Sequence, residues 1–319
     1  MKNAAHYYSI GPLLYCPANN TSIAGSILQQ KFGASYSLAL CLEDTIADAF
    51  VAQAEHILLQ TMDTLYKARE ESTFFMPKIF IRIRSAAQMI NLPKRLGPAR
   101  GLVCGFILPK LDPDNIGEYI RAAKAVNSAY PQTFYIMPIM ESKVLADLRK
   151  RADALYQIKD RLSEIEELVL NIRVGGNDLC HLFGFRRSQS ESIHSIFPVS
   201  HIFADIVTVF GMDYIISGPV WEYYNGTGWE RGLRRELTED KLCGFIGKTA
   251  IHPRQIPIIQ QAYTVTRSDF ENAKAILNWN KDTAYWVSGN AQKERMDEYK
   301  THTNWAQKIL YLADAYGVN

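Results

Sequence analysis

The stretch that decides the fold is Phe134–Met140 (FYIMPIM), a nearly continuous apolar run that ends at Glu141 and Ser142. Such a run is typical of a parallel strand that is covered on both faces. Seven further runs of this kind occur along the chain, and longer helical patterns lie between them. They are PLLYC (12–16), SLALCL (37–42), KIFIRIR (78–84), GFIL (105–108), LVLNIRV (168–174), YIIS (214–217) and GKTAI (247–251).

Eight strand-like runs that alternate with helical stretches over about 250 residues favour a TIM (β/α)8 barrel of the α/β class. We predict this barrel over residues 1–267 and a C-terminal helical extension over residues 268–319, which covers the barrel, contacts another subunit or forms a lid. A doubly wound sheet is the alternative. It is disfavoured because ANNTSIAG (18–25), after the first run, lacks the usual glycine-rich phosphate turn.

The spacing of apolar residues also predicts individual helices. One is expected over Thr45–Arg69 with Asp44 as its N-cap, and another over Asp114–Tyr130. A helical connection is expected between Ser142 and Glu167. These helices would supply the outer layer of the barrel.

Composition excludes several kinds of protein. The hydrophobic fraction of 47% and the charged fraction of 21% indicate a globular chain. The net charge of +2 predicts no nucleic-acid partner, and no apolar stretch reaches the ~18 residues of a membrane helix. We identify no signal peptide, and the five scattered cysteines lack a C-x-x-C pair, so we expect a cytoplasmic protein with reduced thiols.

Polar residues follow nearly every run, at the end of the strands where a barrel of this kind places its active site. Arginines, a lysine and several carboxylates occur together there, and this is more charge than ordinary solvent-exposed loops need. We call the residues at or just after the C-terminal end of each run its exit. The exits contain Asn19, Asn20, Glu43, Asp44, Arg82, Arg84, Lys110, Glu141, Asn177, Asp178, Pro219 and His252.

Glu141 and Asp178 follow the fifth and sixth runs, so on neighbouring strands they would lie about 5 Å apart. Two carboxylates at that distance repel each other unless a proton or a cation bridges them, and magnesium is commonly held by such a pair. The alternative is that each carboxylate caps a helix or pairs with a nearby Lys or Arg.

Arg82 and Arg84 alternate within one run, so both would point to the same side of a strand. At the barrel mouth they could clamp a carboxylate or phosphate, and otherwise they are a solvated strand end. His252, Lys110 and Lys248 are ambiguous when each is considered alone.

Six ordered blocks resemble the citrate lyase beta subunit-like family of the aldolase/lyase superfamily. They are LED (42–44), IRI (81–83), LPK (108–110), MES (140–142), GGNDL (175–179) and GFIGKTAIHPRQ (244–255), and the last is the most specific. The resemblance covers about residues 13–275. It implies a TIM barrel, a magnesium ion, and cleavage or formation of a C–C bond next to a carbonyl, often in CoA thioesters.

The resemblance also implies roles for particular residues. Glu141 and Asp178 would be the magnesium ligands, and Arg82 would bind the carboxylate of an oxo-acid. Together with the polar residues at the strand exits, the resemblance leads us to expect catalytic roles for Arg82, Lys110, Glu43 and Asp44. Substrate binding is expected of Arg82, Arg84, Gly176, Pro219 and His252. The general base is left open among Glu43, Asp44, Lys110, Lys248 and His252.

The chain departs from the family pattern at Cys41, Arg84 and Ser217, where acids or an asparagine are usual. The pocket thus loses acidic groups and gains an arginine, which favours a more anionic substrate or one that is bound differently from the usual CoA thioester. The departures resemble the divergent branch of C–C bond lyase-like barrels that is linked to tellurite-resistance gene clusters.

Three functions remain open at this point. The first is a magnesium-dependent lyase or aldolase that acts on a small oxo-acid or its acyl-CoA adduct through an enolate. The second is a related enzyme such as a thioester hydrolase, and the third is a non-catalytic barrel that binds a small anion. For all three we expect a homo-oligomer, which is common in this family.

Overall fold

The computed structural model describes residues 4–280, 282 and 284–319, and at its centre these residues form one sheet of eight parallel strands. Seven strands follow one another in chain order, and the eighth pairs with the first. The predicted TIM barrel is confirmed. The strands are β1 (Pro12–Pro17), β2 (Ser37–Cys41), β3 (Lys78–Arg82), β4 (Val103–Leu108), β5 (Tyr135–Met140), β6 (Ile172–Val174), β7 (Ile216–Ser217) and β8 (Lys248–Ala250).

Helices surround the sheet and continue past it toward the C-terminus. They are α1 (Ile23–Leu28), α2 (Val51–Glu71), α3 (Ala86–Leu96), α4 (Ile116–Ala129), α5 (Arg151–Ser163), α6 (Gly176–Leu182), α7 (Phe197–Phe210), α8 (Trp229–Cys243), α9 (Ile256–Tyr263), α10 (Arg267–Leu277) and α11 (Tyr299–Tyr316). A two-stranded antiparallel hairpin, β9 (Val287–Gly289) and β10 (Met296–Glu298), lies between the last two helices.

Both faces of the sheet are buried, which explains why its strands are nearly continuous apolar runs. In β3, Ile79 and Ile81 pack against the helices, whereas Phe80 lies inside the barrel with Leu13 and Met137. Successive side chains of a strand point to opposite faces, so residue 82 falls on the interior side with Phe80. The interior of the barrel is therefore apolar along most of the strands, and polar side chains such as Arg82 lie at their carboxyl ends.

The sheet has a thin seam between β7 and β8. The strand β7 has only two residues, and an isolated bridge between Gly218 and Lys248 joins it to β8. The Ser217 hydroxyl donates a hydrogen bond of 2.7 Å to the Ile246 carbonyl across this seam.

A buried ionic cluster lies behind the seam, between β8 and α8. Lys248 Nζ is 3.0 Å from Glu236 and 2.7 Å from Asp240, and all three side chains are fully buried. Arg187 pairs with Glu236, and His194 pairs with Asp240 at 2.7 Å. Lys248 therefore faces the helix layer, which corrects the expectation that it is placed to act as a base.

Two expectations about helices need correction. The helix predicted over Thr45–Arg69 begins at Val51, and Asp44 does not cap it because its carboxylate pairs with Arg82 and Lys110. The helix predicted over Asp114–Tyr130 occurs as α4.

The predicted C-terminal helical extension contains the helices α10 and α11, and the hairpin β9–β10 with its flanking turns lies between them. Near its end, the Tyr316 ring lies 5.3 Å from the Tyr263 ring, and Val318 forms a parallel bridge with Val265. The division of the chain at residue 267 stays a prediction. Among the described residues, none of the helices has the length and apolar character needed to cross a membrane.

Candidate active site

A cavity of about 490 Å³ opens at the carboxyl end of the barrel strands, where the sequence predicts the site. Its wall combines carboxylates and arginines with apolar and glycine positions. The lining residues are Tyr15, Asp44, Thr45, Arg82, Ile139, Glu141, Arg173, Val174, Gly175, Gly176, Asn177, Asp178, Arg186, Val220, Glu222, Thr249 and Ile251.

Glu141 directly follows β5 and is almost completely buried. Its Oε1 accepts hydrogen bonds from Arg82 Nη2 at 3.0 Å and from the Lys110 backbone N–H at 3.1 Å. Burial raises the pKa of Glu141 to about 8, the Arg82 guanidinium opposes this rise, and the Asp178 carboxylate adds to it. The carboxylate is thus held in place, and a further positive charge beside it would favour its ionised form.

Asp178 lies in the first turn of α6, which begins directly after β6 and its Gly175 linker. A Cβ atom on Gly175 would come within 2.2 Å of Glu141 Oε2, so only glycine lets the two exits approach this closely. The structure therefore brings together the two carboxylates that the sequence pairs.

This donor set suits a hard divalent cation, which prefers carboxylate oxygens and tolerates water in its remaining positions. Within residues 4–280, 282 and 284–319, no group of three or more His, Cys, Asp or Glu side chains is arranged to hold a metal. An ion held by Glu141 and Asp178 would complete its coordination with water and substrate oxygens.

Arg82 ends β3 and is the centre of an ion-pair network at the cavity wall. Its Nη2 lies 2.8 Å from Glu43, 2.9 Å from Asp44 and 3.0 Å from Glu141. Burial opposes its protonation, but Tyr15, Glu141 and Glu43 raise the pKa of Arg82 above its usual value. The guanidinium is permanently charged and joins the exits of β2, β3 and β5.

Lys110 completes the network from the turn after β4. Its Nζ lies 2.8 Å from both Glu43 Oε1 and Asp44 Oδ1. Burial lowers the pKa of Lys110, but the hydrogen bonds with Asp44 and Glu43 outweigh this effect and raise it. Burial likewise raises the pKa of Asp44, whereas Glu43, Lys110 and Arg82 lower it overall. The lysine stays protonated and Asp44 stays ionised, so neither is tuned toward neutral pH.

Arg84 does not share a strand with Arg82, because β3 ends at Arg82. Its Nε donates to the Leu42 carbonyl at 2.6 Å, its Nη1 pairs with Asp48, and its Nη2 contacts the carbonyl groups of Glu43 and Ile46. These contacts hold the loop after β2, and the side chain is not in the cavity wall. This corrects the expectation that both arginines point to one side.

Gly176, Pro219 and His252 are placed differently from one another. Gly176 lines the cavity, and Pro219 packs behind it, since a Cβ atom on Gly176 would meet Pro219 Cβ at 2.7 Å. His252 stacks on Tyr224 with ring centroids 4.5 Å apart, and its Nδ1 accepts a hydrogen bond from the Arg254 backbone. His252 is therefore occupied outside the cavity wall, and its substrate-binding role stays a prediction.

The cavity also contains polar residues that the sequence reasoning missed. Arg173, Tyr15 and Thr249 lie on β6, β1 and β8, and Arg186 and Glu222 stand in the surrounding loops. The sequence signal for Arg173 is its charge within the otherwise apolar run LVLNIRV (168–174).

A sequence model of the C–C bond lyase family of the TIM-barrel fold matches residues 4–318. The chain belongs to this C–C bond lyase family. Because the match spans nearly the whole chain, it also identifies the class of enzyme, a carbon–carbon lyase. No match was found among the curated proteins to which the chain was compared.

Solved structures share the fold of this C–C bond lyase family member. A citrate lyase from Burkholderia xenovorans LB400 superposes with a TM-score of 0.72 at 14% identity, over 97% of this chain and 93% of that chain. The CitE protein of Mycobacterium tuberculosis, in complex with magnesium, acetoacetate and coenzyme A, gives 0.60 at 17% identity, over 97% and 99%. The citrate lyase beta subunit of M. tuberculosis, complexed with oxaloacetate and magnesium, gives 0.50 at 18%, over 82% and 99%.

Proposed function

We propose that this protein is a magnesium-dependent C–C bond lyase that acts on a small oxo-acid or its acyl-CoA adduct. The observation that carries the proposal is the convergence of Glu141, Asp178 and Arg82 on one cavity at the carboxyl end of the barrel. Family membership supplies the reaction class, and relatives of the same fold were crystallised with magnesium and oxo-acids.

Glu141 and Asp178 would hold the ion. Their charges lie close enough that Asp178 raises the pKa of Glu141, so a divalent cation would relieve a repulsion that the folded chain maintains. When bound there, magnesium supplies a Lewis acid that polarises a carbonyl oxygen.

Arg82 would bind the substrate carboxylate and stabilise negative charge as the C–C bond breaks. A buried guanidinium is effective in this role because it is already oriented before the reaction and needs little reorganisation. Its present partners, Glu43, Asp44 and Glu141, hold that orientation. Glu43, Asp44 and Lys110, which the sequence predicts to be catalytic, are proposed as positioning residues that hold Arg82 in place.

The deciding experiment measures magnesium binding by calorimetry and lyase turnover with oxo-acid adducts in the Glu141→Gln and Asp178→Asn variants. We expect each variant to lose magnesium binding by at least about tenfold and to lose turnover by about 100-fold or more. The exposed Glu71→Gln variant is the matched control and should behave like the unmodified protein.

Product analysis separates the lyase from its alternative. Formation of an oxo-acid and a shorter acyl fragment supports C–C cleavage, whereas free CoA with an intact acid indicates thioester hydrolysis. Full turnover in the Glu141→Gln, Asp178→Asn double variant would contradict the proposed metal site. A cytoplasmic location and a homo-oligomeric state stay predictions.

A further inference from the structure

Arg173 is a buried cation whose hydrogen-bonding capacity is not filled. It lies in the middle of β6, and only 1% of the residue is exposed. Its Nη2 donates to Thr249 Oγ1 at 2.6 Å, whereas its Nη1 has no hydrogen-bond partner. A buried group left in this state costs free energy unless something else satisfies it.

The other buried cations show what is missing at Arg173. In the described part of the chain, Arg82, Arg151, Arg187 and Lys248 each pair with at least one carboxylate. Arg173 forms no ion pair with any described carboxylate. Burial therefore lowers the pKa of Arg173, although its guanidinium stays protonated. An unpaired buried charge calls for an anion.

The position of Arg173 lets that anion come from the cavity. Its side chain lines the cavity together with Tyr15 and Thr249. The Tyr15 hydroxyl lies beside the Arg173 guanidinium, and the Tyr15 ring centroid is 6.0 Å from Cζ of Arg82. Tyr15 thus stands between the two arginines, and its hydroxyl and that of Thr249 add hydrogen-bonding groups on the Arg173 side.

The two arginines are not equivalent anion sites. Arg82 Nη2 is already shared among three carboxylates of the chain, so most of its charge is neutralised locally. Arg173 retains its full charge and a free Nη1–H donor. A ligand with one carboxylate near Arg82 and the ion would leave Arg173 unpaired, whereas a ligand with a second carboxylate would satisfy it.

We propose that Arg173, with Tyr15 and Thr249, forms an anion subsite that binds a second carboxylate of the substrate, which makes Arg173 a specificity-determining residue for oxo-diacids. This inference rests on the proposed function for the location of the oxo-acid end. It adds that the substrate carries acidic groups at both ends.

Calorimetry with the full chain and magnesium tests the subsite without requiring turnover. The probes are two pairs of compounds that differ by one carboxylate: oxaloacetate with pyruvate, and 2-oxoglutarate with 2-oxobutyrate. We expect the unmodified protein to prefer at least one diacid over its monoacid by about tenfold to 100-fold, as for a charge-assisted hydrogen bond. The absence of a preference in both pairs would overturn the proposal.

The Arg173→Gln variant should reduce that preference to about twofold or less while its binding of the monoacid stays within about twofold. Arg173→Lys keeps the charge and should restore part of the preference. An exposed control, Arg69→Gln, should retain it in full. An unchanged preference in Arg173→Gln would overturn the proposal.

A second variant guards against a folding defect in Arg173→Gln. Thr249→Val is similar in shape and removes the hydroxyl that orients Arg173, so the preference should fall while the circular dichroism spectrum stays unchanged and thermal unfolding stays cooperative, at a somewhat lower Tm. A folded Thr249→Val protein with full preference would count against the subsite. Diacid preference without lyase turnover would refute the proposed reaction and leave the subsite standing.

Discussion

At the scale of single residues, two arginines only two positions apart have different environments. Arg82 is the last residue of its strand and reaches the cavity, whereas Arg84 lies beyond the strand and turns to the loop after β2. The difference arises where the strand ends, because regular alternation stops there. Arg84 mainly donates hydrogen bonds to backbone carbonyl groups, whereas Arg82 forms ion pairs with carboxylates.

The Arg84→Ala variant tests this assignment. It removes a donor from the carbonyl groups of Leu42, Glu43 and Ile46, so we expect the free energy of unfolding to fall by about 2 kcal/mol. Urea unfolding measures the loss, and Arg69→Ala on an exposed helix end serves as the control, with a change below about 0.5 kcal/mol. Equal stability of the two variants would show that the loop does not depend on Arg84.

The sequence was most informative about residues at strand exits. Glu141 and Asp178 line the same cavity because parallel strands in chain order bring their carboxyl ends together, and their role as a metal-binding pair stays a prediction. Arg173 stands out in the sequence as a charge within an apolar run, but its lack of a carboxylate partner depends on the fold and is not visible in the sequence. His252 stands in a conspicuous motif, yet its contact with Tyr224 depends on loop geometry.

At the scale of elements, the junction between β6 and α6 is set by two glycines. Gly175 lies against the Glu141 side chain, and Gly176 lies against Ile193 and Pro219. The absence of side chains lets α6 begin directly after the strand and carry Asp178 toward Glu141. The two glycines between β6 and α6 thus allow Asp178 to approach Glu141.

We expect Gly175→Ala to weaken magnesium binding by at least about tenfold, because its Cβ would displace the Glu141 carboxylate. Calorimetry measures the affinity, and circular dichroism verifies the fold. The control is Gly25→Ala in α1, where a Cβ meets no atom within 4 Å and helix propensity favours alanine. Unaltered magnesium affinity in Gly175→Ala would mean that Glu141 is not a ligand.

Elements were predicted more reliably inside the barrel than outside it. Eight strands were identified because burial on both faces produces long apolar runs. The hairpin β9–β10 was taken for helix, since its short strands are largely exposed and lack such a run. The start of α2 was also predicted too early, at Thr45 instead of Val51, because Asp44 resembles an N-cap but forms an ion pair with Arg82.

At the scale of the whole molecule, the buried ionic cluster makes stability depend on pH. Although burial lowers the pKa of His194, its hydrogen bond with Asp240 raises it to about 9 from an ordinary value of 6.5. A raised pKa means that the folded state binds the proton more tightly than the unfolded state. The contribution is fully present below about pH 6.5 and is lost as the pH rises through 9.

Urea unfolding across this pH range should therefore show a loss of about 3 kcal/mol from His194, an order-of-magnitude value. In His194→Gln this part of the pH dependence should disappear. The exposed His201→Gln variant should keep it. A pH profile that is identical in His194→Gln and the unmodified protein would contradict this account.

The C-terminal helix contributes to the whole fold through Tyr316. This side chain is buried against Tyr263, and its hydroxyl would lie 3.3 Å from a Cβ on Gly247. We expect Tyr316→Ala to lower the free energy of unfolding by about 3 kcal/mol through lost burial and a cavity. Chemical unfolding measures it, and the half-exposed Tyr156→Ala should lose clearly less.

The thin seam between β7 and β8 gives the barrel a preferred line of local opening. Few ladder hydrogen bonds cross there, so amide protons of residues 216–218 should exchange with deuterium before those of β2 to β4. The ionic cluster behind the seam joins α8 to β8 where the sheet is weakest. Local opening of the barrel would thus be controlled from the helix layer, next to the strands β6 and β8 that carry Arg173 and Thr249.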